Sequence, residues 1–381
     1  MKTHRLAANV SAALALIWFA VPARAIDPNR LISQYMHERW GIERGFTGGS
    51  VSSISQTADG YLWIGTEKGL MRFDGSTFRL FQQAVPASSP LGPVQGLTAD
   101  GAGNLWIVLQ STRILRYHDG KFELGRDEAE AGITAVGKQP DGTVLLSSLA
   151  LGSLSYRAGK YEVLNTSSET PKSAAGTTTP TNDELSSRLS WATGVTPHRF
   201  AEPNSPVISM AETDDGKVWL GTRDRGLFYL KDGKISGVSK PSDPRKINCV
   251  LALKNGQLWI GTEQGLLRWN GSELSRDGES SALQHAQILS MSLDRDLNIW
   301  LGTSRGLFRF NSAEPLPQAD FQPGSAVTAI FEDREGNVWT GTAGAIERYR
   351  GSAFVTYTAA KGLPSDNNGA VYVDEIGRAH V

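Results

Sequence analysis

Cysteine is all but missing: the 381 residues include one, Cys249. That excludes an internal disulfide framework and every metal site built on cysteine clusters. Histidine is scarce as well. His4, His37, His118, His198, His285 and His380 are the six, and no two show metal-ligand spacing. An excess of one charge is absent, with 38 Lys+Arg against 39 Asp+Glu. Such balance removes the electrostatic case for nucleic acid or an anionic membrane surface as partner. Past residue 25 no apolar run approaches the roughly 20 residues that span a bilayer. A P-loop, a nucleophile elbow and a Cys/His pair are lacking too. Asp294-Arg-Asp296 and Asp333-Arg-Glu335 read as hairpin turns, not as calcium loops or catalytic carboxylates. No catalytic residue, cofactor or metal is therefore expected.

What the chain does have is 41 glycines, 10 tryptophans and 40% hydrophobic residues. The apolar content supports a large core. Glycine and tryptophan together, with little charge, suggest short strands and tight turns.

The first 25 residues read as an address. Lys2, His4 and Arg5 start it, an apolar run from Leu6 to Val21 follows, and Ala23-Arg24-Ala25 offers a small-x-small cleavage site. This is the three-part form of a secretory signal peptide, with a retained membrane anchor as the alternative. Cleavage would leave 35 basic and 39 acidic residues, and a periplasmic location is expected. In such an oxidising compartment a lone thiol has no partner within the chain, so Cys249 is expected to be buried.

A repeat organises the rest. Gly60-Tyr-Leu-Trp63-Ile-Gly65-Thr66 leads to Gly69-Leu70-Met-Arg72-Phe73-Asp-Gly75. The same phrase returns at Trp219, Trp259, Trp300 and Trp339, is worn at Trp106, and has lost its Trp at Leu145. These seven anchors, 63, 106, 145, 219, 259, 300 and 339, are spaced by 43, 39, 74, 40, 41 and 39 residues. The one long gap falls at 165–205, a Ser/Thr/Pro-rich stretch read as a flexible surface insertion. Trp191 within it is a weak candidate for a degenerate further unit. Each copy reads as four short strands. In the last, these are Val327–Glu332, Val338–Thr342, Ile346–Tyr349 and Phe354–Tyr357, with the Gly336 turn between the first two. Four-stranded units every forty or so residues predict an all-β fold, a β-propeller of seven blades of four antiparallel strands. The Trp would fill the wedge between blades, the following Gly would admit the neighbouring blade, and the β-branched Thr would suit a strand end. Leu297 occupies the glycine slot of its turn, so Asn298 is expected to take the left-handed conformation instead.

The phrases Gly60 to Gly75 and Phe331-Glu-Asp-Arg-Glu-Gly-Asn-Val-Trp339 resemble the two-component regulator propeller repeat, over about Gly48 to Asp374. The resemblance implies the periplasmic sensor region of a membrane histidine kinase, hybrid kinase or diguanylate cyclase. Implied partners are an unidentified periplasmic ligand, with carbohydrate among the candidates, and a second propeller and membrane-anchored signalling module of the parent chain. A dimer is a further expectation for the full receptor. On this reading residues 1–25 are the signal peptide, 26–47 a leader with a closing strand at Ile32–Met36, and 48–358 the propeller. Residues 359–374, with Lys361-Gly-Leu-Pro-Ser365 and Ala370–Asp374, would begin another repeat. The last seven, 375–381, fit no strand or turn and read as an artefactual tail of an amino-terminal fragment.

Turns between second and third strands, together with blade connections, form the face where propellers usually bind ligands. Glu67, Lys68, Arg223, Arg225, Glu263 and Arg305 lie in those turns and are expected to ring one mouth of the central channel. The arginines could hold a carboxylate or sulfate. The reading is a signal-input domain without enzymatic activity of its own. A secreted propeller enzyme such as a lyase, and a protein-interaction scaffold, are the alternatives.

Overall fold

The computed structural model describes residues 31–81, 91–124, 132–138, 142–148, 152–157, 160–164, 205–253, 256–276, 283, 286–311, 320–351, 372–373 and 379–380. The expectations for the signal peptide, the insertion, Trp191, Phe354–Tyr357 and Lys361–Ser365 lie outside the described residues.

Six four-stranded antiparallel sheets are each made of consecutive strands. In sheet 1 these are Val51–Gln56, Leu62–Thr66, Gly69–Phe73 and Phe78–Phe81. Sheets 2 to 6 repeat the plan over residues 94–124, 133–163, 207–237, 247–276 and 288–323. A further four-stranded sheet, here sheet 7, is composite. Ala329–Glu332, Val338–Gly341 and Ile346–Arg350 supply three strands, and Met36–Trp40 supplies the fourth. The outer place expected for Phe354–Tyr357 is thus taken by the leader, in register from Met36 opposite Arg350 to Trp40 opposite Ile346.

That leader strand begins later than expected. Ile32–Gln34 form a 3-10 turn instead, because Ile32 and Tyr35 are buried against Trp300 and the Ile32 N–H donates to the Asp320 carboxylate of sheet 6. The chain has to bend inward there before it can run as a strand. The first strands of successive sheets lie side by side, and that of sheet 7 lies against that of sheet 1. Val51 N–H donates to Thr342 O at 3.0 Å across this junction. A register shift near the start of most first strands turns one extra side chain toward the next sheet. Ser52 Oγ thereby donates to Val94 O (2.7 Å), Gln95 Nε2 to Thr134 O (2.6 Å) and Asn248 Nδ2 to Ile288 O (2.8 Å). Thr328 Oγ1 donates to Val51 O (2.6 Å) at the junction. The fold is an all-β propeller with blades of four antiparallel strands.

The repeated residues hold their places through packing. Trp63, Trp106, Trp219, Trp259, Trp300 and Trp339 are all at most 4% exposed, and Trp63, Trp219, Trp259, Trp300 and Trp339 each belong to an apolar cluster between sheets. Five indoles donate to the residue six positions earlier. Thr57 and Thr213 accept through Oγ1 (2.8 and 3.1 Å), and Asp100, Asp294 and Asp333 through Oδ2 (3.0, 2.8 and 2.7 Å). Asp294 and Asp333 therefore do more than make turns: they satisfy a buried N–H that would otherwise be costly. Leu253 stands at that position in sheet 5, and Trp259 Nε1 has no acceptor among the described residues. The Arg of the repeat faces the Trp across the strand pair. Arg268 lies 4.4 Å from the Trp259 ring centre, and Arg348 5.2 Å from that of Trp339. The glycine after Trp-Ile or Trp-Leu is required by close approach. A Cβ at Gly261 would sit 2.5 Å from Cys249 Sγ and 2.8 Å from Ile288 of the next sheet. Cys249, half-buried, has its thiol pushed up to about 12 by loss of solvent.

Leu297 overturns one expectation. It takes positive φ itself, +64°, as do the glycines in the same slot, among them Gly60, Gly216 and Gly336. The turn overrides the side chain's preference: Asp294 Oδ1 accepts from Asp296 N and Asn298 N, while Leu297 N–H donates to Asp294 O. Asn298 is committed to the strand and bonded to Asp294 Oδ2 (2.9 Å). Left-handed backbone costs a residue with a Cβ about 1–2 kcal/mol. Leu297→Gly is accordingly expected to stabilise the protein by about 1 kcal/mol, read as a higher urea midpoint. A lower midpoint would mean that the half-exposed Leu side chain contributes more than the strain costs.

Near the carboxyl end, Tyr372–Val373 pairs with Ala379–His380. The last seven residues, expected to fit no strand, thus include one.

Candidate functional site

The tight turn between second and third strands is built the same way in sheet after sheet. The Thr that ends the second strand reaches over it. Thr66 Oγ1 donates to Gly69 O (2.8 Å), Thr222 to Gly226 O (2.6 Å), Thr262 to Gly265 O (2.7 Å) and Thr303 to Gly306 O (2.9 Å). The same hydroxyls accept from the turn, from Arg225 N (3.1 Å), Gln264 N (3.1 Å) and Arg305 N (3.1 Å). Each turn is then tied to the chain entering its own sheet. Glu67 N–H donates to Ser50 O (3.0 Å), Arg223 N–H to Pro206 O (3.0 Å) and Ser304 N–H to Gln287 O (3.0 Å). The backbone of these turns is thus held on the face shared with the sheet connections, leaving the charged side chains in solvent.

All six sequence candidates lie in these turns and all are exposed. No hydrogen bond or ion pair joins any two of them among the described residues. The Glu67 carboxylate lies against Gly49. Lys68 N–H donates to Gly48 O (3.3 Å). Glu263 is paired with Lys246 Nζ at 2.7 Å. Arg305 O accepts from Gly324 N (3.1 Å). Arg225 lines a cleft of about 420 Å³, with Leu227, Phe228, Ile235, Gly237, Ser239 and Arg245. This cleft belongs to the third and fourth strands of sheet 4 and the connection after it, so it lies on the outer part of the blade, away from the innermost strand.

Phe228, Gly237 and Arg245 were not among the sequence candidates. Gly237 could have been found by aligning the fourth strands of the repeats, where it stands out as the residue without a side chain. Arg245 sits in an irregular connection with no repeat to mark it.

The described histidines offer no acid–base site at the channel. His37 and Glu347 are 3.0 Å apart, but on the two outer strands of sheet 7, with His37 stacked on Tyr349. His118 lies 3.3 Å from Asp119 at the end of the third strand of sheet 2. Among the described residues no three of His, Cys, Asp and Glu are grouped to hold a metal, and no helix is long and apolar enough to cross a membrane.

The architecture defines a class, the β-propellers. Solved structures agree. Two extracellular domains of B. thetaiotaomicron proteins described as hybrid two component systems superpose with TM-scores of 0.64 and 0.61, at 19% and 20% identity. The alignments cover 91% of this chain and 46% and 44% of theirs, so the chain spans under half the length of those relatives. Virginiamycin B lyase from Staphylococcus aureus superposes at 0.58 with 11% identity, over 84% of this chain and 100% of that one. At such identities the likeness is one of fold. Within that class, the two component regulator propeller model matches residues 45–68, 201–224 and 322–344 of this chain. No curated protein matches the chain.

Proposed function

We propose that the chain is the signal-input region of a two component receptor, exported to the periplasm and coupled in its parent protein to a kinase across the membrane. The observation that carries this reading is the repeat itself, matched by the two component regulator propeller model in three separate places. The extracellular domains of hybrid two component systems share its fold over 91% of its length. In this reading the composite sheet is the seventh blade of a closed ring, which the hydrogen bonds between Val51, Thr328 and Thr342 support. A closed, rigid ring suits an input module: it can present a binding face and pass a change of packing to whatever follows it. A bound ligand would act by favouring one of two receptor states.

Two experiments test the proposal. The full coding sequence of the parent protein is expected to include an apolar span of roughly 20 residues and then a kinase core. A secreted product without any such span would overturn the reading. Purified chain from residue 26 onward, given ATP, is expected to incorporate no phosphate. Robust autophosphorylation of that chain would contradict a purely receptive role.

A further inference from the structure

Third and fourth strands pair in one register throughout the propeller, which allows a position-by-position comparison. The third-strand residue after the repeat's Leu or Ile, whose place Ser153 takes in sheet 3, faces a fourth-strand partner in every sheet. Those partners are Leu80, Leu124, Val163, Arg276, Phe321 and, in sheet 7, Arg39. In sheet 4 the pair is Phe228 and Gly237. In sheet 6 the corresponding Phe308 is stacked on Phe321 with ring centres 4.2 Å apart. Phe228 has no such cover from Gly237.

Gly237 is not there for its backbone, since its φ is not among the positive values. A glycine inside a strand gives up packing and chain entropy. What it allows is the seat of the Phe228 ring itself, which lies over the glycine so closely that a Cβ would press on it at 3.1 Å. The cleft of about 420 Å³ opens at this place. Its rim carries Arg225 and Arg245, brought together by the 2.7 Å hydrogen bond from Gly226 N–H to Arg245 O. Neither guanidinium has an ion pair or side-chain hydrogen bond among the described residues. The nearby Asp243 is turned to Lys240 N, from which it accepts at 2.6 Å. Ser239 Oγ, also in the lining, accepts from Leu227 N at 2.9 Å.

We infer that this cleft binds an organic acid: a ring packed against the Phe228 ring, and a carboxylate or sulfate held between Arg225 and Arg245. The volume suits a small ligand. Arginine forks match planar and tetrahedral oxyanions, and a ring face meets Phe228 favourably. This assigns a ligand class whether or not the chain serves a kinase, so its failure and the failure of the receptor reading are separable.

The test uses the purified chain and three probes: phenylacetate, glucuronate and inorganic sulfate, measured by calorimetry. Saturable binding of phenylacetate or glucuronate is expected at millimolar concentration or below, weakened about tenfold or more in Arg225→Gln and in Arg245→Gln. Which of the two acids binds better tells an aromatic acid from an acidic sugar. Gly237→Leu, which copies the leucine found at this position in sheets 1 and 2, keeps both arginines and forces the Phe228 ring from its seat into the cleft. It is expected to abolish binding, and Phe228→Leu, which removes the ring without adding bulk at Gly237, to weaken binding about tenfold or more, each with a cooperative thermal transition. The inference is overturned if neither acid binds, if Gly237→Leu binds as the wild type does, or if sulfate alone binds as tightly as the acids.

Discussion

Trp300→Ala is expected to lower the unfolding free energy by about 3–5 kcal/mol, measured as a fall in the urea midpoint at unchanged slope. The ring is fully buried, in a cluster with Ile32, Tyr35, Leu307, Val327, Val338 and Tyr349 that joins two sheets and the leader. Truncation empties the wedge, and rigid sheets on either side cannot collapse into it. It also removes the donor to Asp294, a carboxylate 4% exposed, and the ring beside Arg309. Trp259→Ala is the control. That indole makes no hydrogen bond among the described residues, so its loss should cost about 1 kcal/mol less. Midpoints for Trp300→Ala within error of the wild type would show that the wedge is filled by something other than the indole.

A chain beginning at Gly41 is expected to lose cooperative folding. Removing the leader takes away Trp40, which stacks on Trp339 with centres 5.5 Å apart, together with buried Ile32 and Tyr35. Each such side chain is worth about 2–5 kcal/mol, and their sum is comparable with the whole stability of a typical domain, about 5–15 kcal/mol. The deletion also strips the partner from Ile346–Arg350 and leaves Arg348 without the Glu38 carboxylate. An open strand edge invites pairing with another chain. Sedimentation of the shortened protein should therefore show association, and urea unfolding should be broad. A sharp transition without association would mean that the ring holds without its fourth strand in sheet 7.

Much of this architecture is legible because it is periodic. The Trp, Gly and Thr positions and the positive-φ turn glycines all follow from a phrase that recurs in register, and each recurs for a local reason. The roles of two repeated residue types are less evident. The Arg after Gly-Leu-x faces the Trp only once the second and third strands are paired, as Trp259 and Arg268 are. The residue six before the Trp becomes an acceptor only when the hairpin folds its side chain back. Leu297 departs from its intrinsic preference because the hydrogen bonds of Asp294 fix the turn, and no propensity of the residue itself signals them.

The candidate site is legible only in part. The chain alone determined that charged residues stand in the turns between second and third strands, because the flanking Gly-Thr and Gly-Leu mark those turns. Tertiary structure decided which of them share a cavity. Arg225 meets Arg245, twenty positions later, since the fourth strand of sheet 4 ends and its connection folds back onto the turn. It likewise decided that residues 36–40 complete a sheet whose other strands lie some three hundred positions away. Periodic order is written residue by residue because each copy meets the same neighbours. Ring closure and an irregular cleft depend on parts of the chain that no local pattern relates, and only packing brings them together.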